Sequence, residues 1–484
     1  MTKAATPKEP SVPVSLIPLL FLIGLLVLNI MIFKDDASYG ANQIALLLTG
    51  GLASLLGYLT YNIPYEDIER KIFESIGVSL QAIVILLIVG TLIGLWIMAG
   101  IVPAIIYYGL KIINPTVFLP VSCIVAAMVS LATGSSWSTT GTLGVGLMVI
   151  GESLGMPSGL VAGAVISGAY FGDKMSPLSD TTNLAPATAG TDLFTHIRHM
   201  MYTSGPAIII AIIGFSVVGL TYGSSSTSAA SIETVITNLE ANFNLTPFLF
   251  IAPITVLVLV AKKVPALPAL LAGCFMGVII TLVFQQDLLI KLAGEGGKNA
   301  YQQLMLIAIE GFKIDTGNAD LDKLLSRGGM SSMLNTVWLI LTAMIFGGAM
   351  EGTGFLTRLG KALLAKIKTS FGLVCATAFS CIFTNITAGD QYISIIFPGR
   401  LFRETYEKFD LHAKNLSRAL EDSGTVTSVL IPWNSGGAYN SGILGVATLD
   451  YLPYCFFNLM SPIVGIVLAY FGWTFHKREP EEIS

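Results

Sequence analysis

The chain has 484 residues, of which 53% are hydrophobic and only 12% are charged, and its net charge is −4. Soluble domains carry about 25% charged residues, so this composition and the repeated long apolar runs predict an all-α polytopic membrane protein. A β-barrel is excluded because short alternating segments are absent from the sequence, and the lack of a basic cluster excludes nucleic acid as a partner.

Apolar runs and polar interruptions divide the chain into segments that follow one another without a soluble domain. We expect a cytoplasmic tail at 1–13, transmembrane helices at 14–61, a first repeat at 77–222, an extracytoplasmic loop at 223–245, transmembrane helices at 246–285, a long polar loop at 286–333, a second repeat at 334–474 and a cytoplasmic tail at 475–484. Basic residues such as Lys3, Lys262 and Lys477 mark the cytoplasmic side, where Lys and Arg are in excess. Both termini are therefore expected in the cytoplasm.

Four polar stretches interrupt the apolar pattern, two in each half of the chain. They lie near 131–146 ("LATGSSWSTTGTLGVG"), 173–186 (within "FGDKMSPLSDTTNLAP"), 384–399 ("TNITAGDQYISIIFPG") and 428–442 ("SVLIPWNSGGAYNSG"). Thr133 and Thr387 are 254 positions apart, as are Asp180 and Asn434, which indicates a duplication. Irregular backbone inside a membrane must line a cavity, and paired interruptions are typical of transporter sites. We therefore predict an inverted-repeat secondary transporter with two re-entrant hairpins, near 131–146 and 384–399, and two broken helices.

The break in the first half combines a helix-ending proline, Pro177, with a carboxylate and several neutral oxygens. Oxygen ligands of this kind suit Na⁺, and a desolvated carboxylate can hold either Na⁺ or H⁺. The predicted ion- and proton-binding residues are Asp180, Asp173, Asp390, Ser179, Thr181, Thr182 and Asn183, with Asp180 and Asp390 as Na⁺ ligands. An ion pair between Asp173 and its neighbour Lys174 is an alternative for Asp173. Glu421 and Asp422 are expected at a helix end in water.

A second group of polar residues lies at the hairpin tips and at the second break, where we expect the substrate cavity. These residues are Ser135, Ser136, Ser138, Thr139, Asn385, Thr387, Asn434, Ser435 and Trp433. The sequence has no phosphate-binding loop, and its five cysteines lack the spacing of metal ligands, so we expect no cofactor. No nucleophile–base pair or His-x-x-x-His motif lies in an apolar run, so we predict no catalytic residue and no enzyme activity.

The segment "GDKMSPLSDTTNLAP" resembles the signature of the NhaC family of Na⁺/H⁺ antiporters, within the ion transporter superfamily. The segments "TGSSWSTTGT" and "PWNSGG" also resemble family sequence. The resemblance implies an inverted-repeat fold that is often dimeric, a bacterial cytoplasmic (inner) membrane location and sodium–proton exchange. Relatives that exchange malate for lactate share the motif.

Two functions follow from these patterns. The first is exchange of Na⁺, or Li⁺, for H⁺ by alternating access, with Asp180 as the exchanging carboxylate. The second is Na⁺- and H⁺-coupled exchange of small organic acids or amino acids, whose carboxylate would be held by the hydroxyl and amide side chains of the hairpin tips. The first is the leading interpretation, and in both cases the partners are the lipid bilayer, Na⁺ and H⁺.

Overall fold

The computed structural model describes residues 9–33, 40–112, 114–223, 229–262, 264–316, 321–322, 325–365 and 367–478. Regular structure in these ranges is helical, apart from an isolated β-bridge between Leu411 and Lys477. The first half contains α1 (Val12–Phe33), α2 (Ala41–Tyr61), α3 (Tyr65–Met98), α4 (Ile101–Ile112), α5 (Pro115–Thr133), α6 (Ser136–Thr139), α7 (Val145–Ser153), α8 (Ser158–Met175), α9 (Asp180–Ala189) and α10 (Leu193–Gly223). A π-helical turn, Thr140–Gly144, joins α6 to α7.

The remaining helices follow in chain order. They are α11 (Ala229–Asn242), α12 (Ile251–Ala261), α13 (Ala266–Phe284), α14 (Gln286–Glu295), α15 (Ala300–Glu310), α16 (Leu334–Gly352), α17 (Phe355–Leu364), α18 (Ser370–Ala388), α19 (Ile393–Lys408), α20 (Ala413–Leu420), α21 (Ser435–Leu444), α22 (Thr448–Tyr451) and α23 (Phe456–Tyr470). Among the described residues, eight helices are long and apolar enough to cross a membrane, and two bent pairs raise the number to as many as ten. The chain is therefore a multi-pass membrane protein.

Three segments outside the apolar runs contain helices. The apolar spacing in Tyr65–Gly77 predicts a helix, and the structure joins this helix to the span that follows it, in one helix of 34 residues that begins after Pro64. The segment 223–245, expected to be a loop, contains α11. The long polar segment 286–333, in which short amphipathic helices are expected, contains α14 and α15. In α15 the helix start is fixed by a capping box between Asn299 and Gln302.

Helix boundaries recur between the two halves at an offset of 255 residues. Helices α5 and α18 each have 19 residues and are followed by Gly134 and Gly389 at φ 71° and 68°. Helices α9 and α21 each have 10 residues and are followed by Gly190 and Gly445 at φ 91° and 69°. These four ends need the left-handed backbone that glycine adopts without a Cβ clash. The inverted orientation of the two halves stays a prediction.

The offset of 254 predicted from the sequence is one residue too short for the helices that follow α4 and α17. The ends of α3 and α16 keep the offset of 254, since Gly100 and Gly354 both have positive φ there. The extra residue therefore lies in the connection between α17 and α18, and apolar runs alone cannot locate a single insertion. As a result Asp390 corresponds to Ser135, and Asp180 corresponds to Ser435.

Helices α5 and α8 pack closely and carry the first hairpin tip and the first break. A Cβ atom at Gly168 would overlap the carbonyl oxygen of Cys123, and one at Gly172 would overlap that of Ala127. The two glycines therefore let the helix backbones touch, as small residues do in membrane helix pairs. This contact fixes the position of the last turn of α8.

Replacing Gly168 by leucine is expected to lower the free energy of unfolding by about 3 kcal/mol, because the new side chain must separate α5 from α8. Thermal unfolding in detergent measures this effect. Gly205→Leu on α10 is the matched control, since a Cβ there meets no atom within 4 Å. Equal unfolding temperatures for the two variants would contradict the close approach.

Candidate functional site

The first break is held open by its own polar side chains. Ser179 caps α9 by accepting a hydrogen bond from the backbone N–H of Thr182 at 3.4 Å. The Thr182 hydroxyl donates to the last carbonyls of α8 at 3.0 and 3.2 Å, and the Asn183 amide donates to the carbonyls of Pro177 and Ser179 at 2.9 and 2.7 Å. In this conformation the three predicted ion-binding side chains therefore satisfy the backbone groups that the proline frees.

Asp173, at the end of α8, joins the first hairpin to the first break. Its side chain is buried and accepts two hydrogen bonds from Ser136, at 3.0 Å from the backbone N–H and at 2.6 Å from the hydroxyl. The alternative of an ion pair with Lys174 is wrong, because the neighbouring side chains of a helix point in different directions. Asp173 therefore presents a desolvated carboxylate at the hairpin tip.

Asp390 makes a similar link in the second half, although this carboxylate belongs to the hairpin and not to the helix before the break. One oxygen accepts from the backbone N–H groups of Tyr392 and Ile393 at 2.8 and 3.1 Å. The other accepts from the hydroxyl of Ser435, the first residue of α21, at 3.0 Å. Each half thus contains one buried carboxylate that links a hairpin tip to a broken helix.

The second break is supported by a network of amide side chains. Asn434 caps α21 by accepting from the backbone N–H of Gly436 at 3.0 Å, and its amide group donates to the side-chain and backbone oxygens of Asn385 at 2.9 and 3.0 Å. Asn385 in turn donates to the carbonyl of Gly424 at 2.7 Å. Trp433 donates from its ring nitrogen to the hairpin backbone at 2.8 Å. The second hairpin is therefore tied to the second break at several points.

Asp180 is the first residue of α9 and its side chain is exposed, so the expected desolvation is not found in this conformation. A negative charge is favoured there by the N-terminus of α9. Its structural counterpart, Ser435, bonds to Asp390, whereas Ser135, the counterpart of Asp390, accepts from the N–H of Ser138 at 3.1 Å. Asp180 is therefore the accessible carboxylate of the first break.

The other predicted site residues are buried and bonded locally. Thr139 donates to the carbonyl of Ser135 at 2.9 Å, Thr387 donates to that of Phe383 at 2.9 Å, and the hydroxyls of Thr181 and Ser179 are 3.1 Å apart. Among the described residues, no three His, Cys, Asp or Glu side chains come close enough together to hold a metal ion. Asp173, Asp180 and Asp390 therefore form no joint cation site in this conformation.

A buried charge network beside Asp173 was not predicted from the sequence. The ammonium of Lys174 is fully buried and donates to the carboxylate of Asp422 and to the hydroxyl of Ser461, the latter at 2.9 Å. Thr203 also donates to Asp422 at 2.8 Å, and the guanidinium of Arg418 lies 3.9 Å from its second oxygen. The expectation that Asp422 lies in water is wrong.

Glu421 is also buried, which contradicts the expectation of a solvated helix end. Helix α20 continues into a π-helical turn, Glu421–Thr425, that is enclosed by α18, α19 and α23. The sequence offers one signal for this network, the spacing of Arg418 and Asp422 by four residues, which places them on one helix face. It offers none for Lys174 as their partner, because that residue lies in the other half of the chain.

A cavity of about 1040 Å³ reaches the second break. Its lining includes Pro432 and Trp433 from the break and the charged residues Glu310, Lys313, Arg327 and Asp450. Arg327 is paired with Glu152 at 2.9 Å. The volume is far larger than one dehydrated cation requires, so the cavity has room for water or a small solute.

The comparisons with known proteins agree with these features. The model of the Na⁺/H⁺ antiporter family matches residues 168–473, which include both breaks and the second hairpin. The Na⁺/H⁺ antiporter NhaC of Alkalihalophilus pseudofirmus is 36% identical over 96% of each chain. The malate-2H⁺/Na⁺-lactate antiporter of Bacillus subtilis is 37% identical over 92% of each chain. The arginine/ornithine antiporter ArcD of Halobacterium salinarum is 34% identical over 98% of this chain and 95% of its own.

These relatives match at least 92% of this chain, and all carry names of antiporters. The protein is therefore a secondary transporter and not an enzyme. Its paired helix breaks, its buried carboxylates and the family match lead to one assignment: the chain belongs to the Na⁺/H⁺ antiporter family.

Proposed function

We propose that the protein exchanges Na⁺ for H⁺ by alternating access, with Asp173 and Asp390 as the carboxylates that take up either ion. The observation that carries this proposal is the pair of buried carboxylates, each linking a hairpin tip to a broken helix. A carboxylate inside a membrane is costly unless a proton or a cation neutralises it, so the two ions compete for the same oxygens. Competition of this kind produces exchange when access alternates between the two sides.

The hydroxyls beside the carboxylates complete the chemistry. Ser136 and Ser435 now donate to Asp173 and Asp390, and each hydroxyl oxygen also has lone pairs that can face a cation. Exposed Asp180 serves as the entry point, where a hydrated Na⁺ first meets a negative charge. Li⁺ has the same charge and ligand preference and is expected to substitute for Na⁺.

We further propose the cellular setting. The basic residues near several spans favour cytoplasmic termini in a bacterial cytoplasmic (inner) membrane, and the recurring helix boundaries favour two halves of inverted orientation. A homodimer is the oligomeric state that we expect. Chemical cross-linking in native membranes tests this state, because a monomer would give no cross-linked species.

Proteoliposomes that contain a pH dye test the exchange itself. A Na⁺ gradient imposed across wild-type vesicles is expected to drive proton movement without any organic solute. Reversal of the Na⁺ gradient should reverse the direction of the pH change, because an exchanger works in both directions. Silent wild-type vesicles, with folded protein present, would reject Na⁺/H⁺ exchange.

The 1040 Å³ cavity favours a second candidate function, exchange of small organic acids or amino acids coupled to Na⁺ and H⁺. Lys313 in its lining supplies a positive charge for a carboxylate, and the malate/lactate relative matches nearly the whole chain. Organic acids would then raise the unfolding temperature in detergent, and more strongly with Na⁺ present. An unchanged unfolding temperature over a panel of such acids would reject organic-acid exchange, and Na⁺/H⁺ exchange would remain as the proposed function.

A further inference from the structure

Glu421 is a fully buried carboxyl group whose surroundings differ from those of its neighbour. Both of its oxygens lack a hydrogen-bond partner among the described residues, as does the hydroxyl of Thr425 one turn away. The π-helical turn that begins at Glu421 leaves these groups without the usual contacts, and such turns are frequent at functional sites. Glu421 is therefore a buried carboxyl group without an ion-pair partner among the described residues, and its polar neighbours are the hydroxyls of Thr425 and Thr181.

The two buried cations near Glu421, Lys174 and Arg418, both lie at the carboxylate of Asp422. Lys174 donates to Asp422, and Arg418 lies 3.9 Å from the same carboxylate. A buried carboxylate without a partner is far more costly than a buried carboxylic acid, so such a group normally holds a proton. In this conformation Asp422 is thus paired with Lys174, whereas its neighbour Glu421 forms no ion pair among the described residues.

We propose that Glu421 is a proton-carrying carboxyl group of the exchange, separate from the carboxylates that bind Na⁺. This inference rests on the proposed function and adds to it a dedicated proton site. The proton leaves Glu421 for water as H⁺, and the resulting carboxylate attracts the ammonium of Lys174, which is bonded to the adjacent residue Asp422. No other covalent bond is made or broken.

Lys174 connects this step to the Na⁺ site. It follows Asp173 on α8, so a shift of Lys174 from Asp422 to Glu421 moves the turn that carries Asp173. Arg418 is already within 3.9 Å of Asp422 and can replace Lys174 there. Deprotonation of Glu421 therefore disturbs the hydrogen bonds between Asp173 and Ser136, which leaves that carboxylate ready for a cation.

The groups that face Glu421 come from several helices. Asp173 and Lys174 belong to α8, Cys381 belongs to α18, and Arg418 and Asp422 lie on the same segment as Glu421. His196 of α10 bonds to the hydroxyl of Ser417, on the helix that leads to Glu421, at 2.8 Å. Lys174 is thus the cation that responds to the charge of Glu421.

Proton release on Na⁺ binding, measured with a pH dye in weakly buffered detergent solution, tests the proposal. Glu421→Gln should bind Na⁺ more weakly than wild type and, at Na⁺ concentrations that saturate binding, release about one proton fewer per protein, because the amide cannot titrate. Glu404→Gln, the same change at an exposed position of α19, should match wild type. Unchanged proton release in Glu421→Gln would overturn the proposal and leave Na⁺/H⁺ exchange standing.

Infrared spectroscopy separates this inference from the proposed function, because it needs no Na⁺. Wild type at neutral pH should show the carbonyl band of a carboxylic acid. The intensity of this band should be lower in Glu421→Gln and unchanged in Glu404→Gln. Equal bands in all three proteins would overturn the proton site, whatever the transport assay gives. If wild type shows the expected band but releases no protons on addition of Na⁺, Na⁺/H⁺ exchange is rejected, whereas a protonated Glu421 is supported.

Glu421→Asp provides the test if the glutamine variant fails to fold. Aspartate still titrates, but its shorter side chain places the carboxyl group farther from Lys174. Proton release should persist, and the pH at which it is half complete should shift. An unshifted profile would contradict a proton site at this position.

Discussion

Asp173→Asn is expected to reduce Na⁺-driven proton movement more than about 100-fold, since a charge-assisted contact contributes up to ~3 kcal/mol. The amide has the shape of the carboxylate and can still accept a hydrogen bond from the backbone N–H of Ser136, so the hairpin contact should survive. What is lost is the negative charge that holds Na⁺ or H⁺. Proteoliposome transport measures the loss, and the unfolding temperature in detergent verifies the fold.

Two further variants test whether the loss of transport depends on the negative charge at position 173. Ser136→Ala keeps the Asp173 carboxylate and removes one of its two donors, so a loss of about 1 kcal/mol, or about fivefold in ion affinity, is expected. Asp180→Asn alters an exposed carboxylate and should mainly slow ion entry. Wild-type transport by Asp173→Asn would exclude Asp173 as an ion carrier, and a larger loss in Asp180→Asn would return the central role to Asp180.

Lys174→Met is expected to lower the free energy of unfolding by about 3–5 kcal/mol, because it leaves the Asp422 carboxylate buried without its closest cation. The methionine side chain fills similar space, so the effect reports charge and not volume. Thermal unfolding in detergent provides the measurement. An unfolding temperature equal to that of wild type would mean that Arg418 alone neutralises Asp422.

The double variant Lys174→Met/Asp422→Leu separates the cost of an unpaired charge from the value of the pair. Replacing a buried ion pair by apolar residues is often neutral for stability, so much of the lost stability should return. Transport should nevertheless stay low, because the cation next to Glu421 is gone. Recovery of transport together with stability would show that the pair is only structural.

The sequence predicted the features that depend on composition and on the order of polar and apolar residues. Pro177 and the polar residues after it predict where α8 ends, and Asp390 stands out as a charge in an apolar run. The direction of a side chain does not follow from such a pattern. Lys174 lies directly after Asp173 in the chain but reaches Asp422, which is 248 positions away, because helix rotation and packing decide its partner.

Burial was hardest to predict where charged residues cluster. The segment "SRALEDSG" resembles the polar end of a helix, yet Arg418, Glu421 and Asp422 are all enclosed. Their burial results from contacts with α18 and α23, two helices that the local sequence does not specify. Asp180 shows the reverse, since its place in a membrane motif predicted burial and the structure leaves it exposed.

The two broken helices also affect how quickly the protein can work. Helices α9 and α21 both begin inside the breaks, at Asp180 and Ser435, so each directs the partial positive charge of its N-terminus, about half an elementary charge, toward the ion path. These charges weaken the hold of the nearby carboxylates on a cation. A site made of carboxylates alone would bind Na⁺ too tightly to release it. The positive helix N-termini lower the affinity for Na⁺, which favours rapid release and therefore rapid turnover.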